Sequence, residues 1–538
     1  MSKSIYLINP TADFPTYFGA EMVQGWGLPP ATALADLPIA TVAAMVPDSF
    51  DIRLCDENIT PIDFDIEADF IGITGKVSQW GRMQQIAGEF RRRGRTVLIG
   101  GPFASLSPEV VVDHCDILVR GEIEEIAPSL FADLEGDCWK DEYVGTRPSL
   151  DLSPPARWDL YPNDRALVGT VQTSRGCPFE CEFCDVIEYL GRNQRHKPVA
   201  NILRELDDLY RFGYRTVFLA DDNFTIVRRR AKELLRALRA WNDSLEDGKV
   251  TFLTQLSIDA ARDDELLRLC AEAGLILAFI GIETPNEESL KLSKKRQNMG
   301  VDLVSQVQKF YDYGIAVIGG MIVGFDGDGP DIFQRQYDFA TQASMPVVTL
   351  GTLVAPAATP LHDRMEREGR LLADGSEVQA LPWSTNIQPK LMTQEHLLQG
   401  IQWLANNLYS PSAFGGRLLH FIHRMGERRD PKYRSGEAGS SAARSVEGEG
   451  RKIMQRLIAL GPEEAKMAYR IFGAVSKKPE AFDFVKPWLF QYAQVRYMYD
   501  QGQFWDSHLA AHAAPSVGGL PIAPPTAPPS QLVSIGAS

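Results

Sequence analysis

The segment VGTVQTSRGCPFECEFCD, residues 168–185, joins a short apolar run to three closely spaced cysteines. Cys177, Cys181 and Cys184 have the spacing CxxxCxxC, and they are three of only seven cysteines in the 538-residue chain. A run of β-favouring residues followed directly by this loop predicts a strand whose carboxyl end carries the thiols. The segment therefore predicts a metal or redox site at one end of a sheet.

From residue 168 onward, predicted strands and helices alternate regularly. The apolar runs that predict strands are VGTVQTS, TVFLA, VTFLTQL, ILAFIG, IAVIGGMIV and VVTLGTL. Between them lie amphipathic stretches such as 199–212, whose apolar positions form one helical stripe that ends at Gly213. Six strands with about five helices are two units short of an eight-fold barrel. The fold class is therefore α/β, with a partial (β/α)6 barrel over 166–385 and an active site at the carboxyl ends of its strands.

Residues 1–135 show the same alternation. The strand candidates are SIYLI, FDIRLC, DFIGIT, TVLIGG and DILV. Two stretches between them, LADLPIATVAAMV and WGRMQQIAGEFRRRG, have helical spacing, and Gly94 ends the second. Such alternation predicts a parallel sheet with helices on both faces, a Rossmann-like domain.

The remaining segments lack this alternation. Residues 136–165 are rich in proline and aspartate, and we predict a linker. Residues 386–512 have helical periodicity, interrupted by a predicted mobile insertion, YRSGEAGSSAARSVEGEG, at 433–450. Residues 513–538 are proline-rich and low in charge, which predicts a disordered tail.

Aromatic residues are frequent in this helical region. Trp383, Trp403, Tyr409 and the run KPWLFQYAQVRYMYDQGQFW at 486–505 could line an apolar pocket. Packing between helices is the commoner role for such residues. The aromatic content alone therefore does not predict a substrate.

Length and composition narrow the class of protein. A chain of 538 residues exceeds the roughly 250–300 residues of one core, so we expect two or three domains. A net charge of −15 argues against a nucleic-acid partner, which would require a basic surface. No signal-peptide pattern or apolar run of about 18 residues is evident, so we expect a cytoplasmic protein without a transmembrane segment.

The other four cysteines are scattered through the sequence. An odd total in a reducing compartment does not indicate a disulfide framework. Cys55, Cys115, Cys138 and Cys270 are therefore expected to be small buried apolar residues.

The number of clustered thiols limits the metal. A structural zinc site has four ligands, usually in two pairs, and no second cysteine pair follows. Three thiolates suit a [4Fe-4S] cluster whose fourth iron is free to bind a reacting ligand. A zinc site and a thiol redox loop remain the less favoured alternatives.

The cysteine spacing, with Phe183 just before the third cysteine, resembles the radical S-adenosylmethionine (radical SAM) superfamily. In that family the CxxxCxxC loop follows the first strand of a partial barrel. The resemblance implies that S-adenosylmethionine binds the free iron and is cleaved by one electron to a 5′-deoxyadenosyl radical. It also implies an electron donor such as flavodoxin or ferredoxin.

Other strand ends match the family in order and spacing, in the segments ADDNF, TQLSID, GIETP and GGMIVGFDGDGPD. The implied S-adenosylmethionine-binding residues are Phe183, Asp221, Asp222, Gln255, Ser257, Glu283, Thr284 and Gly324. The ADDNF segment is equally well explained as a helix N-cap. A glycine-rich stretch is weak support by itself.

A Rossmann-like domain before such a barrel resembles the cobalamin-dependent branch of the superfamily, in the subgroup that includes the hopanoid C-2 methylase. The residues that this implies for cobalamin are Gly75, Gly100, Gly101, Gly121 and Glu122, all at predicted strand ends. The loop NPTADFPTYFGAEMVQGWG contains no histidine, so cobalamin would bind without a histidine ligand, and His114 is expected to be a packing or surface residue. A degenerate domain that has lost its corrinoid is the alternative.

The resemblance implies a C-methyltransferase. A methyl group would move from S-adenosylmethionine, by way of methylcobalamin, to an unactivated carbon of a small lipid-like or polycyclic substrate. A cyclase or oxidase of the anaerobic magnesium-protoporphyrin ester cyclase type would use the same cofactors. A non-catalytic iron-sulfur regulatory protein is the third possibility.

Overall fold

The computed structural model describes residues 2–373, 381–425, 441–478 and 482–511. The predicted tail at 513–538 lies outside the described residues, as does the predicted insertion before residue 441. From Ser441 onward the chain is helical, so the last part of the predicted mobile insertion has regular secondary structure.

The first sheet has six parallel strands in the order β3-β1-β4-β5-β6-β7. The elements of this part of the chain are β1 (Lys3–Asn9), α1 (Glu21–Gly25), β2 (Thr32–Leu34), α2 (Leu37–Ala43), β3 (Phe50–Asp56), β4 (Phe70–Thr74), α3 (Trp80–Arg92), β5 (Thr96–Gly100), α4 (Pro102–Leu106), α5 (Pro108–Val111), β6 (Ile117–Arg120), α6 (Ala127–Glu135) and β7 (Glu142–Val144). All five predicted strands are confirmed. From β1 the chain continues to β3 on one side and then to β4 on the other side. Open sheets of this class bind ligands at this switch point, beyond the carboxyl ends of β1 and β4.

The second sheet is the predicted partial barrel. Its elements are β8 (Ala166–Val171), β9 (Ser174–Arg175), α7 (Val186–Tyr189), β10 (Arg195–His196), α8 (Val199–Arg211), β11 (Thr216–Leu219), α9 (Arg228–Ser244), β12 (Thr251–Leu256), α10 (Asp264–Ala273), β13 (Leu275–Glu283), α11 (Glu287–Leu292), α12 (Leu303–Asp312), β14 (Ala316–Val323), α13 (Ile332–Gln342) and β15 (Val348–Thr352). The strands of the sheet follow the order β15-β14-β13-β12-β11-β8-β2, and all of these pairs are parallel. Strands β9 and β10 form a separate antiparallel pair. The six predicted strands are confirmed, and β2 is an unpredicted seventh.

Strand β2 comes from the first part of the chain, yet it pairs with the first barrel strand. Thr32 lies opposite Ala166 and Leu34 opposite Val168. The sequence predicted that Leu34 begins a helix. Instead the Asp36 carboxylate accepts a hydrogen bond from the amide of Ile39, so helix α2 begins at Leu37 and the preceding residues are extended. The first domain thus contributes a strand to the barrel.

The predicted linker at 136–165 is packed structure. Strand β7 pairs with β6 and completes the first sheet. Trp158 and Tyr161 are buried, and the Tyr161 hydroxyl donates to the Asp56 carboxylate at 2.5 Å. Because these side chains are buried and bonded to the first domain, the segment is part of the packed structure that joins the two domains.

The C-terminal region is helical, as predicted. Its helices are α14 (Pro360–Arg367), α15 (Gln394–Leu408), α16 (Pro411–Met425), α17 (Ser441–Ala459), α18 (Pro462–Val475) and α19 (Phe482–Gln501). Trp403 and Tyr409 are buried, and the Tyr409 hydroxyl donates to the carbonyl of Val348 at 2.6 Å. These two aromatic side chains therefore have the packing role. Among the described residues, none of the helices is both long enough and apolar enough to cross a membrane.

Candidate functional site

The three clustered cysteines lie on a loop with a short antiparallel neck. Strands β9 and β10 form this neck, with Arg175 opposite Arg195. We call residues 176–194 between them the cysteine loop. Cys181 is buried, Cys177 and Cys184 are half-buried, and all three are free thiols. The predicted position of the thiols, just after the first barrel strand, is confirmed by the geometry.

Burial disfavours the thiolate form of Cys177 and Cys184. Burial raises the pKa of Cys177, and it raises the pKa of Cys184 to about 12, with further contributions from nearby Asp185 and Cys181. Metal ligation requires the deprotonated thiolate. Bound iron would therefore have to provide the positive charge that compensates the buried thiolates.

The cysteine thiols do not converge on the position of a single metal ion. Across residues 2–373, 381–425, 441–478 and 482–511, no group of three or more histidine, cysteine, aspartate or glutamate side chains is arranged to hold a metal ion. Thiolates of an iron-sulfur cluster bind separate iron atoms, whereas the ligands of one ion converge on a single point. The fit of the thiols to a cluster therefore rests on their number, their chemistry and their common location on one loop.

A half-buried lysine lies beside the cysteine loop. The Lys295 ammonium is 2.6 Å from the Glu283 carboxylate and close enough to Cys181 and Cys184 to interact with their charges. Burial lowers the pKa of Lys295, but Glu283 and the cysteines more than offset it, so its pKa is raised. Glu283 has a φ of 62°, where β13 and β14 change register. A strained carboxylate at a strand end, paired with this cation, is a strong candidate for ligand binding.

The lysine was missed in the sequence because it lies in the run KLSKKRQN, which resembles an exposed basic turn. In the same run, the Gln297 amide donates to the Cys181 sulfur at 3.6 Å. The backbone amide of Glu182 also donates to the carbonyl of Ser293 at 3.2 Å. This turn therefore covers one side of the cysteine loop.

The ADDNF segment holds the entry to the cysteine loop. The Asp221 carboxylate accepts hydrogen bonds from the amides of Thr173 at 2.8 Å and Ser174 at 2.7 Å. Burial raises the pKa of Asp221 to about 6. The Asp222 carboxylate accepts from the amide of Gly176 at 3.0 Å. Neither carboxylate caps helix α9, so the N-cap interpretation is wrong, and both oxygens of the Asp221 carboxylate accept hydrogen bonds from the chain itself.

The concave face of the barrel carries alternating half-buried side chains. On β12 these are Leu253 and Gln255, and on β13 they include Leu277 and Phe279. The residues between them are buried under the helices. Gln255 is thus positioned on the predicted ligand face. Ser257 accepts a hydrogen bond from the side-chain amide of Asn223, and both side chains are buried at the same strand ends.

Three of the predicted site residues have packing roles instead. The Thr284 hydroxyl is fully buried and accepts from the amide of Asn286 at 3.2 Å, which forms a turn before α11. Gly324 has a φ of 103°, and a Cβ there would lie 3.1 Å from Leu397 on helix α15, so the fold itself favours glycine at this position. The Phe183 ring packs edge-on against Phe325 at 5.7 Å. These contacts shape the loops at the carboxyl ends of the barrel strands.

The carboxyl edge of the first sheet faces the cysteine loop. The Glu122 carboxylate, just beyond β6, accepts from Arg195 at 2.5 Å and from Arg175 at 2.6 Å. Both carboxylate oxygens are therefore engaged by the neck of the loop. These ion pairs hold the carboxylate that the family resemblance assigns to cobalamin binding.

The glycines at this edge are required by neighbouring loops. A Cβ on Gly101, which has a φ of 91°, would lie 2.4 Å from the Thr74 hydroxyl. A Cβ on Gly121, with a φ of 73°, would lie 2.4 Å from the carbonyl oxygen of Gly145. Gly75 and Gly100 also lie within 3.3 Å of neighbouring atoms by the same measure. The loops at this edge are therefore closely packed, and this packing is sufficient to explain why glycine occupies these positions.

The loop after β1 lies between the first domain, the barrel and α19. Its Phe18 is 42% exposed and packs edge-on against Phe279 on the concave face, with ring centroids 5.6 Å apart. The Tyr17 hydroxyl is 2.7 Å from that of Tyr499 on α19. His114 packs edge-on against Trp80 at 5.2 Å, so it has the packing role predicted for it. The histidine-free loop thus borders the open mouth of the barrel.

The four scattered cysteines are free thiols. Cys55, Cys115 and Cys270 are buried, as predicted. Cys138 is exposed, so the prediction is wrong for this residue, which follows the end of α6 in a surface turn.

Two family models match the chain. Residues 171–340 match the Radical SAM superfamily, and residues 359–482 match a domain of unknown function, DUF4070. The first match begins at the end of β8 and ends within α13, so it contains the cysteine loop and most of the barrel.

Two curated relatives are similar to part of this chain. An uncharacterized methyltransferase of Synechocystis sp. is 38% identical over 345 residues, which cover 63% of this chain and 64% of the relative. The hopanoid C-2 methylase of Rhodopseudomonas palustris is 35% identical over 349 residues, 62% of this chain and 65% of the relative. The match thus spans slightly less than two thirds of each relative's length.

A solved structure shares the fold over most of the chain. It is the cobalamin-dependent S-adenosylmethionine radical enzyme OxsB with aqua-cobalamin and S-adenosylmethionine bound, with a TM-score of 0.59 and 15% identity. The similarity covers 93% of this chain and 80% of OxsB, and it includes the first domain and the barrel. Residues 171–340 therefore form a domain that matches the radical SAM superfamily.

Proposed function

We propose that this protein is a cobalamin-dependent radical SAM enzyme that transfers a methyl group to an unactivated carbon. The observation that carries the proposal is the meeting of two strand-end edges at one loop. The first sheet presents the loops after β4, β5 and β6 to the cysteine loop, which itself follows the first barrel strand. An enzyme that combines two cofactors in one reaction requires such a meeting.

The barrel side of this meeting would hold the iron-sulfur cluster and S-adenosylmethionine. Cys177, Cys181 and Cys184 would ligate the cluster, and Lys295 provides a buried positive charge next to them. When bound, these groups supply one-electron cleavage of S-adenosylmethionine. The carboxylate of Glu283 and the amide of Gln255 are the polar groups left to orient it.

The first domain would hold cobalamin at its carboxyl edge. The loops after β4 and β5 are compact, and the loop after β1 offers no imidazole to the corrin. This domain would therefore bind the corrinoid through shape and backbone contacts. A bound corrinoid would lie between this edge and the barrel mouth, next to the exposed ring of Phe18.

The substrate would be small and apolar. The concave barrel face carries Leu253, Leu277 and Phe279 at half-buried positions, and Phe18 reaches over it from the first domain. Apolar surface of this kind favours a lipid-like or polycyclic molecule over a charged one. The names of the relatives support the same class. Since S-adenosylmethionine cleavage consumes an electron, we also propose an external donor of the flavodoxin or ferredoxin type.

The proposal is tested by cofactor loading. Anaerobic reconstitution with iron, sulfide and hydroxocobalamin should give about four irons and about one corrinoid per chain after desalting. Alanine at Cys177, Cys181 or Cys184 should remove the iron and abolish formation of 5′-deoxyadenosine. The exposed Cys138→Ala variant is the matched control and should retain both. Deoxyadenosine formation by a reconstituted Cys181→Ala protein would refute the cluster assignment.

Methyl transfer is separated from its rivals by the fate of the methyl group. With S-adenosylmethionine labelled in that methyl group, mass spectrometry of lipid and polycyclic candidate substrates should detect a labelled product. A cyclised or oxidised product without label would favour the cyclase class. A full cluster without any cleavage of S-adenosylmethionine would favour a regulatory protein.

A further inference from the structure

The neck of the cysteine loop is held by carboxylates from the other domain. Arg175 and Arg195 lie opposite each other on β9 and β10, and both donate to Glu122. Glu124 adds a second carboxylate, 2.7 Å from Arg175. We call these four side chains the interdomain ion cluster.

This cluster is removed from solvent. The exposed fractions of the side chains are 2% for Glu122, 1% for Glu124, 12% for Arg175 and 15% for Arg195. Surface ion pairs contribute little, but breaking a buried ion pair leaves an uncompensated charge at a high energetic cost. The four side chains therefore fix the geometry between the two domains at this point.

The ion cluster links the two predicted cofactor sites directly. Glu122 follows Gly121 at the carboxyl edge of the first sheet, and Arg175 is two residues before Cys177. A second link runs nearby, since Arg147 donates to the carbonyls of Glu188 and Tyr189 in the helix after Cys184. A shift of the first-domain edge is thereby transmitted to both ends of the cysteine segment.

We propose that Glu122 and Glu124 are positioning residues that couple corrinoid binding by the first domain to cluster binding by the cysteine loop. This inference rests on the proposed function, because it requires that the chain binds both groups. A corrinoid that orders the edge after β6 would hold the guanidinium groups, and with them the loop, in the arrangement that accepts the cluster. By linkage, the cluster then strengthens corrinoid binding by the same factor.

The test measures hydroxocobalamin affinity by anaerobic equilibrium dialysis, with and without the reconstituted cluster. In the wild-type protein we expect the cluster to tighten corrinoid binding about tenfold. Glu122→Gln should reduce this ratio to near one, while the variant still binds each group on its own. Glu124→Gln, whose carboxylate pairs with Arg175, should reduce it less.

The matched control is Glu142→Gln. Glu142 belongs to the same domain and pairs with Arg120, but its side chain is 45% exposed, so the full ratio should remain. The reciprocal readout is the rate at which a chelator removes iron, which corrinoid should slow in the wild type and not in Glu122→Gln.

Each outcome has a separate meaning. A wild-type protein that binds both groups independently, or a Glu122→Gln variant that keeps the full ratio, would overturn the coupling and leave the proposed function intact. A wild-type protein that binds the cluster but no corrinoid would refute both. If Glu122→Gln does not fold, as judged by circular dichroism, the Glu124→Gln ratio decides, and an unchanged ratio there overturns the coupling.

Discussion

Lys295 and Glu283 form a buried ion pair beside the cysteine loop, with 2.6 Å between the ammonium nitrogen and the carboxylate oxygen. The two side chains are 14% and 9% exposed. They come from a basic turn and from the end of a barrel strand, and the lysine is close enough to Cys181 and Cys184 to interact with their charges.

Removal of the lysine should destabilise the protein before any cofactor is added. Lys295→Met leaves Glu283 buried without a partner, which costs about 3–5 kcal/mol of folding free energy. Urea denaturation of the cofactor-free protein would measure the loss. Lys466→Met, in an exposed pair with Glu463, is the control and should change stability by less than about 1 kcal/mol. Because the second change removes the unpaired charge, the double variant Lys295→Met/Glu283→Gln should regain part of the stability. A double variant as unstable as the single one would contradict the explanation.

Asp221 should make the stability of the protein fall as the pH rises. Burial raises its pKa from the usual 3.8 to about 6 in the folded state, so between these values the folded protein keeps a proton that the unfolded chain has lost. The stabilising contribution is fully present below about pH 4 and is lost by about pH 6, on the order of 3 kcal/mol. Denaturation experiments across this pH range should show that the wild-type protein loses this stability as the pH rises, whereas Asp221→Asn does not. Asp51→Asn, at an exposed position, should follow the wild type, and parallel curves for Asp221→Asn would refute the assignment.

Gly121 should tolerate alanine far less well than Gly94, although both have nearly the same backbone conformation. Their φ angles are 73° and 75°, so the strain of an L-residue there, about 1–2 kcal/mol, is shared. At Gly121 a Cβ would also collide with the carbonyl of Gly145, whereas at Gly94 nothing lies within 4 Å. Thermal unfolding should therefore show a larger loss for Gly121→Ala. Equal losses would mean that the loop can move away without cost.

Arg364 should protect the cluster by holding the cysteine loop from the barrel side. Its guanidinium donates to Glu182, between the second and third cysteines, at 2.6 Å and to Asp326 at 2.5 Å. In Arg364→Met both carboxylates lose this partner, so the reconstituted protein should release iron to a chelator several-fold faster. Arg335→Met, in an exposed pair with Asp331, should release iron at the wild-type rate. No difference between the two variants would exclude this protective role.

The local pattern of the sequence was sufficient for most of the fold. The strands of both sheets are short apolar runs bounded by polar residues, and helices such as α8 and α9 have one apolar stripe, so periodicity predicted them. Strand β2 was missed because three residues carry too little pattern, and its partner β8 is more than 130 residues away. The prediction of a linker at 136–165 failed for a similar reason. Its proline and aspartate content indicated a loop, whereas the long-range contacts of Trp158 and Tyr161 are not visible in the local sequence.

The candidate site divides in the same way. The cysteines were predictable because their spacing is local and their chemistry is specific. Lys295 and the arginines of the neck were not, because their importance comes from burial and from carboxylates on distant strands. Glu122 was placed at the correct edge, but its arginine partners were not predicted, since sequence position does not reveal which side chain a carboxylate meets.

Strand β2 makes the two halves of this protein inseparable by a single cut. A barrel produced without the first domain would lack its seventh strand and would expose the edge of β8, an unpaired row of amides and carbonyls that invites aggregation. A first domain produced alone would carry an extended segment with no sheet to join. A chimaera that exchanges one domain with that of a related protein would therefore have to keep residues 32–34 with the barrel that they pair with.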